Sequence, residues 1–228
     1  MEDRLTFYHP TEEKLNVISH GFGLILSVIA LVLLVGYSVT EGTTLHIISF
    51  SVYGASLVIL YAASTSYHYV QEPKLRYKLN IVDHAAIYVL IADSYTPFAL
   101  NVFEGTFGWA VLGSVWTIAA IGITLKLFFT GKFGLVSTIA YVLMGWIGIL
   151  GIKTLIDNLP IEGVIWLIAG GLSYTIGAIL YGIHKIKFNH AIFHVFVLLG
   201  SFCHFISVFL YVLPHQQNLT KNIEFIVK

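Results

Sequence analysis

Charge is what this sequence has least of. Asp, Glu, Lys and Arg make up 11% of its 228 residues, less than half the ~25% of a typical soluble domain. A water-facing surface cannot be built from so little, and a mean hydropathy of +0.84 points to lipid instead. Twelve basic residues balance twelve acidic ones, which removes the basic excess that nucleic-acid binding needs. A single cysteine, Cys203, lies inside an apolar run and excludes both a disulfide framework and a Cys-rich metal site. Proline is scarce as well. Pro10, Pro73, Pro160 and Pro214 fall outside or at the edges of the apolar runs, as helix breakers should. Only Pro97 lies inside one, where it predicts a kink. No small-residue cleavage pattern follows the first apolar run, and Glu2, Asp3, Glu12 and Glu13 precede it. This predicts a retained first span rather than a cleaved signal peptide.

What the chain has in abundance is long apolar runs. Segments able to cross a bilayer, about 20 residues each, are read at 17–39, 46–70, 80–101, 108–129, 133–153, 163–183 and 189–213. A spanning segment must satisfy its own backbone polar groups, so these are helices, too long and too uniformly apolar for barrel strands. The expected fold is all-α: one seven-helix transmembrane domain covering 1–228. Arg4, Lys14, Lys74, Arg76, Lys78, Lys126, Lys132, Lys185 and Lys187 fall on the amino-terminal side of this arrangement. Lys153, Lys221 and Lys228 fall on the other. The positive-inside rule then predicts a cytoplasmic amino terminus and an external carboxyl terminus.

Against this background the ten histidines stand out. At 1.5 Å of rise per residue, His68 lies ~6 Å from Glu72, Asp83 ~7.5 Å from Lys78, and His190 and His194 ~5 and ~10 Å from Lys187. Three spans thus bring three imidazoles and a carboxylate to one level in the cytoplasmic leaflet. His190 and His194, spaced i, i+4, share a helix face, and Ser64 and His68 repeat that spacing. Such groups satisfy one another either by hydrogen bonding across helices or by binding a metal. Three imidazoles with an open fourth position suit zinc, and less specifically iron, copper or nickel. Intramembrane ionisable groups are functional by default, which favours the metal.

Other polar residues are secondary candidates. Asn16 and His20 open the first span at the same level, either as outer partners orienting a ligand or as a helix–helix bond. His84 adjoins Asp83 but points ~100° away around the helix. Asp93 and His204 lie ~22 and ~25 Å from their cytoplasmic charges, either structural or lining a separate polar path. His9, His46, His184 and His215 fall in tails, loops or span ends.

Four stretches carry a family resemblance. "EKLNVISHG" in the first span, "STSYH" ending the second, "VDHAAIYVLIADSYTPF" in the third and "HAIFH" opening the seventh resemble the hemolysin III family. That family belongs to the progestin and adipoQ receptor superfamily, which includes the adiponectin receptors. The resemblance spans nearly the whole chain in the same order. It implies a zinc ion inside the cytoplasmic leaflet, with ligands that fall here on His68, His190 and His194. It also implies that Asp83 holds a water bound to the zinc, and that Ser64 is the serine of the second-span motif. A minimal chain of this kind implies a multi-pass protein of a bacterial plasma membrane.

The site suggests zinc-dependent hydrolysis of a lipid amide or ester, with Asp83 as proton acceptor and Ser64 as a donor to the developing oxyanion. The partner would be a membrane lipid or fatty acid held among the helices. Competing readings are a lipid-sensing, receptor-like protein of membrane homeostasis with a structural zinc, a haemolytic pore, and an ion or metal transporter. A secreted pore former needs a soluble state that seven apolar spans do not offer. No inverted repeat supports a transporter. A retinal protein needs a lysine in the last span, and 189–213 has none.

Overall fold

Lipid is an apolar solvent, and the first helix shows how the chain answers it. The computed structural model describes residues 7–103, 105–129, 132, 134–183 and 185–213; Arg4, Phe133, His184, Pro214, His215, Lys221 and Lys228 lie outside them. Helix α1 spans Pro10–Glu41 and buries Asn16, His20, Gly23, Ser27, Ala30, Leu34 and Ser38. These recur every three or four residues and form one inward stripe of small and polar side chains. Its outward face is apolar, with Ile18, Phe22, Ile25 and Val32 exposed. The pattern is inverted relative to a water-soluble helix.

Among the described residues seven further α-helices follow: α2 (Thr44–Tyr69), α3 (Pro73–Asn101), α4 (Gly105–Phe129), α5 (Gly134–Gly145), α6 (Ile152–Asn158), α7 (Ile161–Gly182) and α8 (Asn189–Ser207). A π-helical turn at Val208–Val212 extends α8. No strand occurs among the described residues. Among the described residues six helical segments are long and apolar enough to cross a membrane, with α5 and α6 counted together over Gly134–Asn158. The exception is α3, which has the length, 29 residues, but carries Asp83 and Asp93 on its buried face.

Helix starts follow capping chemistry. Pro73 opens α3, and the Glu72 carboxylate accepts from the Lys74 and Leu75 amides at 3.0 and 2.6 Å. Those two bonds draw the Glu72 carboxyl below its ordinary value. At the start of α2, His46 Nδ1 accepts from the Thr43 amide at 3.3 Å, so this histidine is a cap. Helix α3 continues through Pro97 as regular α-helix.

The expected fifth span, 133–153, is interrupted. Helix α5 ends at Gly145, a 3-10 segment runs over Ile147–Gly151, and α6 continues to Asn158. Tyr95 of α3 stands at the break. Its hydroxyl lies 2.9 and 2.6 Å from the Met144 and Gly145 carbonyls and accepts from the Gly148 amide at 3.1 Å. A side chain thereby replaces backbone bonds that lipid could not supply.

Between α7 and α8 the close approach rests on small residues. Gly163, Gly170 and Gly177 recur every seven residues, and a Cβ on them would meet Tyr211, His204 and Phe196 at 2.8, 2.2 and 2.7 Å. Small residues of this kind let membrane helices pack without a hydrophobic driving force. The turn into α8 is equally tight: Phe188 is left-handed at φ 59°, and Asn189 Nδ2 bonds the Tyr181 carbonyl at 2.7 Å. This pins the position from which His190 and His194 project.

Candidate metal centre

The end of α2 and the start of α8 bring three buried imidazoles together. His190 Nε2 lies 3.1 Å from His68 Nε2 and 3.0 Å from His194 Nε2. The three residues offer nitrogens that all lie within 4.8 Å of one another. Ligand nitrogens 2.0–2.1 Å from a tetrahedral zinc would be about 3.3 Å apart, so the two spacings from His190 are close to those of an occupied site.

The opposite ring nitrogens decide which way the lone pairs point. His68 Nδ1 lies 2.7 Å from Glu13 Oε2, a carboxylate that can only accept, so Nδ1 carries the proton and Nε2 a lone pair. The Ser19 hydroxyl donates to the Asn16 carbonyl at 3.1 Å and lies 3.3 Å from His194 Nδ1. It is thereby left to accept from that nitrogen. His190 Nδ1 meets the Tyr8 hydroxyl at 3.0 Å. Even with its proton on Nε2, His190 has one hydrogen for two neighbours. At least one of the two short contacts is lone pair against lone pair, which a cation between the rings relieves. The donor set therefore fits a metal, and each ligand has the outer partner that such sites use to fix orientation.

Glu13 is itself anchored. Its Oε1 accepts from the Arg76 guanidinium, which is fully buried and also donates to the Tyr67 and Val70 carbonyls at 3.2 and 3.0 Å. Glu12 Oε1 accepts from the His190 amide at 3.2 Å. The turn Tyr8–Glu13 thus ties the start of α1 to both helices that carry the imidazoles. Sequence reading passed over Tyr8, Glu12, Glu13, Ser19 and Arg76. Burial of an arginine is the one signal that pointed to them, and it is invisible without the fold.

The remaining candidates separate by position. Asn16 Nδ2 lies 3.3 Å from His68 Nδ1, but the proton on that nitrogen goes to Glu13, so two donors face each other and Asn16 adjoins the ring without bonding to it. His20 stacks on His194 with ring centroids 3.4 Å apart, and its Nδ1 meets Ser64 Oγ at 2.7 Å. Asp83 is outside the imidazole group but lines the same cavity as Ser64, His20, His190 and His194. His84 turns to the Asn80 carbonyl at 2.8 Å, and its own carbonyl accepts from Tyr141. The cavity, about 170 Å³, runs on from this level between α3, α5, α7 and α8 past Leu90, Val142 and Val197 to His204. There His204 Nε2 donates to the Leu167 carbonyl at 3.2 Å. Asp93 lies apart from that cavity, against Ser56 of α2.

A polar centre inside a lipid-facing helical bundle can be compared with known proteins. Residues 8–205 match the family model described as Haemolysin-III related. The chain belongs to that family. It is 46% identical over 203 residues to Hemolysin-3 of Bacillus cereus, covering 89% of this chain and 93% of that protein. It is 44% identical over 200 residues to the Hemolysin-3 homolog of Bacillus subtilis, with 88% and 94% covered. A more distant relative is the monocyte to macrophage differentiation factor of Homo sapiens, 29% identical over 215 residues, 90% and 87% covered. Family membership and the apolar helices together make this a multi-pass bacterial membrane protein.

Proposed function

We propose that this haemolysin-III family protein is a zinc-dependent hydrolase of a lipid amide or ester bond, built as one seven-helix domain with its site in the cytoplasmic leaflet. In this reading α3 crosses the membrane as the third of seven spans, the amino terminus is cytoplasmic and the carboxyl terminus external. The observation that carries it is the convergence of three buried imidazole nitrogens at the head of an apolar cavity that Asp83 and Ser64 also line.

Zinc held by neutral imidazoles supplies Lewis acidity and a nucleophile at neutral pH. The chain's own residues do the rest. Glu13, Ser19 and Tyr8 hold the three rings in the tautomer that presents Nε2 inward. Asp83 Oδ would accept a proton from the attacking water and return it to the leaving amine nitrogen or alcohol oxygen as the C–N or C–O bond breaks, which frees the fatty acid and restores the carboxylate. With His20 Nδ1 donating to Ser64 Oγ, the Ser64 hydroxyl hydrogen is free to point into the cavity and stabilise a developing oxyanion. Ile87, Leu90, Ile91, Phe193 and Val197 form a wall suited to an acyl chain. Entry from lipid is favoured at α5, where only Met144 is fully buried.

The test uses purified protein with labelled ceramides and phospholipids. Fatty acid release that a chelator abolishes and zinc restores is the expected result. Absence of release across the panel from metal-loaded protein overturns the hydrolase reading.

A further inference from the structure

Lys126 takes no part in the chemistry above, yet it lines the same cavity as Asp83, His190 and His194. It is 5% exposed, and among the described residues it makes no ion pair. A lysine near the end of a membrane helix ordinarily sends its ammonium out to the interface. Lys126 turns inward instead, because of its place on α4. The buried residues of that helix are Gly108, Val111, Val115, Ala119, Gly122 and Lys126, a seam recurring every three or four residues. The seam meets α3 at Gly122, where an added Cβ would stand 2.3 Å from the Tyr88 ring. One turn on, the same face carries Lys126, and among the described residues it is the one member of α4 that reaches the cavity.

Its surroundings hold no counter-charge of their own. The His84 ring has both Asp83 and Lys126 as electrostatic neighbours. Asp83 Oδ2 lies 3.8 Å from His84 Nδ1, and this is its one ion-pair contact among the described residues. Helix α5 closes the other side, with the Tyr141 hydroxyl donating to the His84 carbonyl at 3.1 Å and Ser137 bonded to Tyr88. An ammonium withdrawn from water without an anion is costly. The described residues supply none, so the anion is expected to arrive with the ligand. The imidazole centre takes a carbonyl and the apolar wall an acyl chain, which leaves the headgroup for Lys126. Lysine binds phosphate as a point charge. A free fatty acid cannot fill both places, since its single charge is the carboxylate at the imidazoles.

We infer that Lys126 anchors the headgroup in this cavity and that the lipid bound there is a phospholipid, with a phosphate oxygen on the Lys126 ammonium. The inference rests on the hydrolase reading for the direction in which the lipid lies.

The test is native mass spectrometry of the full-length protein in detergent, titrated with a dialkylglycerol or with its phosphate ester. Both are ether-linked, so neither is turned over at a carbonyl. Wild type is expected to bind the phosphate form about 10–100-fold more tightly, the worth of one hydrogen bond to a charged group. Lys126→Met, which keeps the length without the charge, is expected to lose that preference, and Lys126→Arg to keep it. Lys132→Met, on the exposed surface, should leave it unchanged. Equal affinities in wild type overturn the proposal, and so does a preference that survives in Lys126→Met. Inorganic phosphate is expected not to displace the phosphate ester; displacement at equal concentration would assign the ammonium to a soluble anion and sink the phospholipid. If Lys126→Met does not fold, Lys126→Gln takes its place. Because binding is read without turnover, a headgroup preference stands even where no fatty acid is released, and its loss leaves the hydrolase reading intact.

Discussion

Glu13 Oε2 stands 2.7 Å from His68 Nδ1 while the other oxygen of the same carboxylate is bonded to buried Arg76. The pair couples the start of α1 to the end of α2 through a charge-assisted bond, and it fixes the proton of His68 on the side away from the other imidazoles. Outer partners of this kind raise ligand basicity, and losing one typically costs 10–100-fold in metal affinity. Glu13→Gln is therefore expected to weaken zinc binding by about that factor while leaving the saturating stoichiometry unchanged. Competition against a zinc indicator measures it; unchanged affinity would show that Glu13 serves Arg76 alone.

Removing ligands rather than their partners should remove the metal itself. His190→Ala combined with His194→Ala leaves one of the three nitrogens, too few to retain zinc through purification. Elemental analysis of the variant beside wild type is the check. Chelation should also lower the wild-type unfolding midpoint, because a metal bound only to the folded state stabilises it by mass action, and should leave that of the variant unmoved. Equal metal content in both proteins would place the binding site elsewhere.

The ligands were legible in the sequence and their supports were not, for a physical reason. His190 and His194 share a helix face by spacing alone, and depth from the nearest charge brings His68 level with them. Glu13 and Arg76 read as interface charges because the apolar run begins only at residue 17. Helix α1 in fact starts at Pro10, a full two turns earlier, and carries both glutamates into the site. Arg76 was legible as a charge that orients the chain. Its burial comes from Glu13 and from two carbonyls at the end of α2, and no local pattern announces such partners. The break between α5 and α6 was hidden in the same way, since an apolar run with glycines looks continuous until Tyr95 of another helix is seen bonding to it.

Asp83 separates catalysis from sensing. It lines the cavity without belonging to the imidazole group, so Asp83→Asn should retain zinc. If Asp83 accepts a proton in the reaction, lipid hydrolysis should fall by ~10²–10⁴-fold, the usual contribution of a positioned general base. Fatty acid release and metal content measured on the same preparation give the answer. Retained zinc together with retained physiological activity would favour a lipid-sensing protein with a structural metal.

The α7–α8 seam makes the last prediction, and it concerns stability rather than chemistry. A Cβ placed on Gly170 would stand 2.2 Å from His204 Cδ2 and 2.6 Å from its Nε2. The ring cannot simply swing away, because Nε2 is held by the Leu167 carbonyl and the ring edge packs on Tyr174. Gly170→Ala must either separate the helices or break that bond, at about 1–3 kcal/mol for overpacking of this kind. At Gly36 on α1 nothing lies within 4 Å of an added Cβ. There alanine should be neutral or stabilising, by up to about 1 kcal/mol from helix propensity. Thermal unfolding of both variants under identical conditions compares them directly. Should Gly170→Ala prove as stable as Gly36→Ala, the helices cannot meet as closely as the 163/170/177 repeat requires.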